Sequence, residues 1–389
     1  MSKAEGINME KTEKDSKETG AACYSFAEQS EVFSPQLVFY PDLILDNIRR
    51  MIKIAGGAGR LWPHIKTHKT PQVVQMLVEE GIDRFKCATI AELEMAARAG
   101  GKRLLLAYPL VGPDIKRFLA VQKAFREVTF YAIADDTDQV KQLGQEALRA
   151  DIIVNLLMDA DLGQHRTGVP MERLDQMYRE WDKVPGIHMC GMHCYDGHRH
   201  EADLQVRMEK VRETDELLKQ IWQKLREDGY DLSVVVLGGT PSFPCHKVLT
   251  EEYLSPGTCV IHDAGYRDSY RDMEFTPAAA VLTRVVSRPE RDTFTLDLGT
   301  KAVASDPAGD RAVLAGMEYA ATVMQNEEHW VVRVPEEHIK DIPEIGTELF
   351  AIPVHVCPTS ALYPEAAVVR EGHLRDWWAI TARNRKITF

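Results

Sequence analysis

Long apolar runs are missing from this 389-residue chain. Even "SVVVLGG" (233–239) falls far short of the roughly 20 apolar residues that cross a bilayer, so no membrane span is expected. The opening "MSKAEGINMEKTEKDSKETGAA" lacks the apolar core of a secretory signal. It is polar throughout, and about the first 30 residues read as a disordered tail. Basic excess is lacking too. Against 59 Asp and Glu stand 47 Lys and Arg, a net charge of −12, which argues against a general polyanion surface and against nucleic acid as a partner. The seven cysteines are odd in number, irregularly spaced and never in a CxxC pair. They are expected as reduced thiols, with the cytoplasm as compartment. No internal repeat is present.

What the chain does have is alternation. Candidate strands "QLVFY" (36–40), "LWPHIKT" (61–67), "RFKCAT" (84–89), "RLLLAYP" (103–109), "VTFYAIA" (128–134), "DIIVNLLMD" (151–159), "IHMCGMHCY" (187–195) and "SVVVLGGT" (233–240) are separated by helical stretches. Eight strand–helix units predict an α/β fold, a TIM-like (β/α)8 barrel over residues 31–255, with a doubly wound open sheet as the rival. From about 256 to 389 the pattern turns to strand-like runs between Pro/Gly turns. A C-terminal mostly-β domain is expected there, which one N-terminal strand is able to join.

In such a barrel the chemistry gathers at the carboxyl ends of the strands. "PHIKTHKT" (63–70) stands at one of them, with Lys66 directed to the mouth. A partly desolvated amine near other cations has a lowered pKa and can bond a carbonyl; the bland alternative is a solvated basic loop. "LGGT" (237–240) contributes Gly238, Gly239 and Thr240, and "SPGT" (255–258) contributes Gly257 and Thr258, turns whose amides can close on an anion. "DADLGQHRTGV" (159–169) offers Arg166 and "HCYDGHRH" (193–200) offers Tyr195. An amine, a phosphate cradle, an arginine and a tyrosine around one mouth suggest pyridoxal phosphate. In the β domain, "VHVCPT" (354–359) sets His355 and Cys357 two apart, on one face if the segment is a strand, where both could ligate one metal ion.

Together "PHIKTHK", "RFKCATIAELEMAARAG", "DLGQHRTGV", "YDGH", "GGTPS", "SPGT", "DLGTKAVASD" and "HVCPT" resemble, in order, the motifs of the D-threonine aldolase/D-serine dehydratase family. These are fold-type III pyridoxal phosphate enzymes related to alanine racemase. The resemblance runs from about Phe33 to the C-terminus and implies a homodimer. It makes Lys66, rather than Lys69, the Schiff-base lysine. Arg166 would contact the cofactor's phenolic oxygen, Tyr195 would lie beside the ring, and Gly238, Gly239, Thr240, Gly257 and Thr258 would hold the phosphate. His355 and Cys357 would bind a divalent metal (zinc, manganese or magnesium) near the substrate's β-hydroxyl. "SALYPEAAVV" (360–369) and "QNEEHW" (325–330) depart from the family's pattern.

The implied substrate is a small D-β-hydroxy-α-amino acid. Retro-aldol cleavage to glycine and an aldehyde is the expected reaction. The softer His–Cys pair favours the alternative, β-elimination as in a D-serine or D-threo-hydroxyaspartate dehydratase. A racemase would leave that pair without a role. A non-catalytic pyridoxal phosphate-binding protein would need no C-terminal β domain.

Overall fold

Eight parallel segments close into a ring in the structure of this chain, a computed structural model that describes residues 20–246 and 249–389. The chain forms two compact units. One comprises Leu43–His262, Tyr266–Thr276 and Trp378–Phe389; the other comprises the described residues up to Asp42, Asp263–Gly265 and Pro277–Trp377. The division expected at residue 255 is thus displaced, and each unit is built from separate stretches of sequence. Strand β1 (Gln36–Phe39), read above among the barrel strands although one N-terminal strand was allowed to join the β domain, belongs to the second unit.

The ring of the first unit runs β2 (Arg84–Cys87), β3 (Arg103–Leu106), β4 (Thr129–Ala134), β5 (Val154–Asp161), then β7 (Ile187–Cys194), β8 (Val234–Leu237) and β9 (Tyr253–Leu254). A short β6 (Val169–Pro170) pairs beside β5. All neighbours are parallel. Residues 61–64 fill the gap between β9 and β2: Leu61 bridges Leu254 and His64 bridges Lys86. Pro63 has no amide hydrogen to donate, so the predicted strand 61–67 survives only as these bridges and turns into a 3-10 segment at Ile65–Thr67. The count of eight was right with one exchange, β9 standing where β1 was expected.

Amphipathic helices cover the ring. They begin at side-chain caps such as Thr89, whose Oγ1 accepts from Glu92 N, and Asp136, whose carboxylate accepts from Asp138 N and Gln139 N. Inside, Trp62, Leu105, Ile133, Leu157, Cys190, Val234 and Val236 form an apolar plug, with Tyr131 and Tyr253 set edge-on to Trp62. Such a layer makes a parallel barrel a packed core rather than a pore.

One irregularity decides what stands above the plug. The β5–β7 register runs Leu156↔Met189, then Leu157↔Gly191, so Cys190 is an extra, bulged residue. A side chain at Gly191 would place its Cβ 1.6 Å from Val234 O, at a φ of +157°, so only glycine fits. Because strand side chains alternate, one inserted residue exchanges the faces that follow it. His193 and Tyr195 therefore face the interior, where strict alternation from Cys190 would have put Met192 and Cys194.

The second unit is one nine-stranded sheet. Its spine is β10 (Ala279–Glu290), paired antiparallel with β1, β11 (Thr293–Leu296) and β15 (Glu348–Pro353). Beyond β11 lie β14 (Trp330–Arg333) and β13 (Ala321–Gln325); β12 (Ala312–Leu314) pairs with β15. Strand β1 also runs parallel to β16 (Glu365–Arg370), which leads to β17 (His373–Ala379). Leu37, Val38 and Phe39 are wholly buried. The expected tail lies outside the described residues as far as 19. From residue 20 the chain is packed, with Tyr24 and Phe26 buried and the Tyr40 hydroxyl donating to Tyr24 O at 2.6 Å, so a tail reaching residue 30 was too long. No helix among the described residues is long and apolar enough to cross a membrane.

Candidate active site

Above the apolar plug the barrel interior turns polar, around a cavity of about 540 Å³. Its wall includes Lys66, Lys86, Arg166, Asp159, His193 and Tyr195. Lys66 and Lys69, three residues apart in "KTHK", have opposite fates. Lys69 is ion-paired with buried Glu92, whereas Lys66 lies within the turn capped by His64 and opens onto the cavity. His64 Nδ1 lies 2.9 Å from Lys86 O, which holds the turn against β2.

Arg166 extends from the loop after β5. Asp161 Oδ1 anchors that loop by accepting from Gly163 N (2.9 Å) and His165 N (3.0 Å), and Thr167 donates to Asp159 at 2.9 Å. The guanidinium stands over the Tyr195 ring and makes no ion pair among the described residues. Tyr195 is nearly parallel to His193, at 12° and 6.4 Å between centroids. His193 Nδ1 meets Asp159 at 2.7 Å, while its buried Nε2 has no hydrogen-bond partner among the described residues. Burial lowers the proton affinity of His193 against the pull of Asp159, so the imidazole is neutral.

Two glycines leave room for the tyrosine ring. A Cβ on Gly197 would fall 2.3 Å from the Tyr195 hydroxyl, and one on Gly239 would fall 3.0 Å from Cε2. The predicted anion turns meet one another: Thr240 Oγ1 accepts from Gly257 N and Thr258 N, each at 3.0 Å, and a Cβ on Gly257 would press on His64 O at 2.9 Å. Gly239 N donates to Ser242 Oγ at 2.9 Å, and Gly238 takes the left-handed φ of +74° beside His246. The structure thus gathers both turns at the root of the Lys66 segment. Of the predicted cofactor residues, Lys66, Arg166 and Tyr195 line the cavity itself.

Beneath the Gly238 turn lies a buried chain of charges that the sequence reading missed. Ser242 Oγ donates to Asp196 Oδ1 (2.6 Å), Asp196 Oδ2 meets His246 Nε2 (2.9 Å), and His246 Nδ1 meets Asp215 (2.9 Å). Burial opposes the charge on His246, but the two carboxylates outweigh it and raise its pKa to about 10. Lys86, also missed, is only 2% exposed. The signal for it was a lysine amid the apolar run of "RFKCAT".

In the second unit His355 is the residue before the short helix Val356–Leu362, and Cys357 lies in the helix's first turn. The pair was expected on a strand. The helix start brings the two together instead, with the His355 and Cys357 side chains hydrogen-bonded and His355 Nδ1 2.5 Å from Asp306 Oδ2. Hydrogen bonding to Cys357 first, and then to Asp306, raises the His355 pKa to about 9 against the effect of burial. Thr359 Oγ1 accepts from Ala304 N and ties this helix to the Asp306 loop. Among the described residues no three His, Cys, Asp or Glu side chains form a metal-holding group. The imidazole and thiol nevertheless suit a borderline divalent ion with positions left open.

The polar chemistry of the cavity fits pyridoxal phosphate: an amine, an unpaired guanidinium, an unpartnered imidazole nitrogen and a glycine-walled tyrosine. Residues 41–264 match the family of the alanine racemase N-terminal domain, and residues 278–369 match a serine dehydratase domain family. A D-threonine aldolase of Arthrobacter sp is 30% identical over 359 residues, covering 88% of this chain and 92% of that one. The crystal structure of D-threonine aldolase from Filomicrobium marinum has a TM-score of 0.84 at 23% identity, covering 92% and 97% of the two chains. That of D-threo-3-hydroxyaspartate dehydratase from Delftia sp. HT23 has a TM-score of 0.78 at 21% identity, covering 90% and 98%.

Proposed function

We propose, from the premise that this chain belongs to the D-threonine aldolase/D-serine dehydratase family of fold-type III pyridoxal phosphate enzymes, that it cleaves D-β-hydroxy-α-amino acids by a retro-aldol reaction to glycine and an aldehyde. The observation that carries this reading is the unpaired Lys66 opening onto the same cavity as Arg166 and Tyr195.

Lys66 would hold the cofactor covalently through Nζ, with Arg166 at its phenolic oxygen, Tyr195 beside its ring, and the turns Gly238–Thr240 and Gly257–Thr258 at its phosphate. Bound there, pyridoxal phosphate supplies an electron sink for the pair left on the substrate's α-carbon. His355 and Cys357 would hold a divalent metal, whose chemistry is that of a Lewis acid toward the β-oxygen. Asp159 keeps the His193 proton on Nδ1, so Nε2 presents its acceptor side to the interior. The apolar plug under the cavity excludes water from below.

The aldolase reading is supported by the 30% identity to a D-threonine aldolase along most of both chains. Dehydration is the second reading, favoured by the thiol of Cys357 and by the serine dehydratase match over 278–369. A cytoplasmic homodimer belongs to the same proposal. Product analysis with D-threonine tests it. Glycine plus acetaldehyde supports cleavage, 2-oxobutanoate plus ammonia supports dehydration, and epimerised threonine with neither product overturns both.

A further inference from the structure

Lys86 is a buried lysine with no ion-paired carboxylate among the described residues. It sits on β2, 2% exposed, and its side chain lines the cavity. Among the described residues its Nζ makes no ion pair and no hydrogen bond; it meets the face of Tyr195, 5.2 Å from the ring centroid. A buried ammonium with no carboxylate in contact is costly, because its desolvation is not offset by a direct ion pair. Lysine at such a position is therefore a candidate for function rather than for packing.

We propose that Lys86 is a second anion-binding amine of this cavity, pairing with an anionic oxygen of the bound ligand in place of the carboxylate that the fold withholds. The charged and titratable groups around it point the same way. Lys66 and Arg166 repel its charge, Asp159 and Asp196 attract it, and the nearby His64 and His193 have depressed proton affinities. Asp159 is committed to His193 and Thr167, and Asp196 to His246 and Ser242. Burial first, and Lys66 next, lower the Lys86 pKa to about 7. The amine is thus largely neutral above that pH until an anion arrives, and binding draws a proton onto it. Lys66 and Arg166 have assigned tasks in the reading above, on which this inference rests. Lys86 is left for an anionic oxygen of either the cofactor or the substrate's carboxylate.

Isothermal titration calorimetry of the full chain at pH 8, in buffers of differing ionisation enthalpy, separates the two sources. One arm titrates pyridoxal phosphate into cofactor-stripped protein; the other titrates D-alanine, which has no β-hydroxyl to lose, into the loaded protein. The wild type should take up a proton in one arm that Lys86→Met does not, with affinity in that arm falling about tenfold. The difference should shrink at pH 6, where Lys86 is already charged. Lys86→Arg, charged throughout, should bind without that uptake. Equal proton uptake and affinity in wild type and Lys86→Met, in both arms, would overturn the proposal while leaving the cofactor reading intact. A wild type that binds no pyridoxal phosphate overturns the cofactor reading itself, and this inference with it.

Discussion

The guanidinium carbon of Arg166 lies 5.2 Å from the centre of the Tyr195 ring, although the two residues come from the ends of different strands. Among the described residues Arg166 has no carboxylate to neutralise, and it lies on the surface of its loop, so the fold does not depend on it. Arg166→Ala should therefore change the melting of cofactor-stripped protein by less than about 0.5 kcal/mol. Turnover should fall about 100-fold, as when one preorganised electrostatic contact is removed. Parallel melts and steady-state kinetics check both halves. A large loss of apoprotein stability would show that the arginine is structural.

Lys66 and Lys69 give a sharper contrast. Borohydride treatment of the loaded protein should fix the cofactor on the peptide containing Lys66 and leave Lys69, paired with Glu92, unlabelled. Lys66→Ala should abolish both label and turnover, since no other group replaces the amine. Peptide mass spectrometry reads the result, and label on Lys69 would reverse the assignment.

Chelation should remove lyase activity while the cofactor stays bound and the fold stays intact, because a catalytic ion with two protein ligands is not a structural staple. Cys357→Asp exchanges a soft donor for a hard one, and should move the metal preference from zinc toward manganese or magnesium. Reconstitution with each ion, scored by turnover and by the ratio of aldehyde to oxo-acid, tests this. Full activity after exhaustive chelation rules the metal out.

The pair of carboxylates around His246 predicts a pH dependence of stability. The folded-state pKa, about 10, lies above the ordinary value of 6.5. The stabilisation is therefore complete below about pH 6.5 and is lost as pH rises through about 10. His246→Gln leaves Asp196 and Asp215 buried without a counter-charge, which should cost about 3–5 kcal/mol at neutral pH. Its stability should also change less than that of the wild type between pH 7 and 10. Denaturant melts across that range decide the matter, and parallel curves for the two proteins would remove the charge from His246.

The legible part of this molecule was local. Apolar runs between helical stretches marked six of the barrel strands closely, because a parallel strand buried on both faces is written as a short apolar segment. Lys66, Arg166 and Tyr195 stood at strand ends, and the structure places all three on one cavity. Two kinds of information were not legible. Partner choice was one: "QLVFY" reads as a strand, yet nothing within it says that its neighbours lie at 279–282 and 367–368. Facing was the other. The bulge at Cys190 shifts the inner face of β7 by one residue, and it shows only in the register with β5 and in the closeness of Gly191 to Val234 O. The buried charges of Lys86, Asp196, Asp215 and His246 escaped for a related reason, since burial is a property of the assembled fold.

The position of β1 has a consequence for how the protein is made. On the ribosome, Gln36–Phe39 emerges early, but its antiparallel partner in β10 follows some 240 residues later and its parallel partner in β16 later still. At the usual pace of about 5–20 residues per second, β1 waits for tens of seconds with its sheet unmade, while nearly all of the barrel emerges. The opposite end repays the delay in kind: the last residues return to the first unit, where Thr388 N donates to Glu94 at 2.8 Å. Neither unit can be completed from nascent chain until the segments beyond β15 have been made. A stalled or truncated product would thus display an apolar, unpaired strand near its N-terminus, and that is the segment a chaperone would be expected to grip.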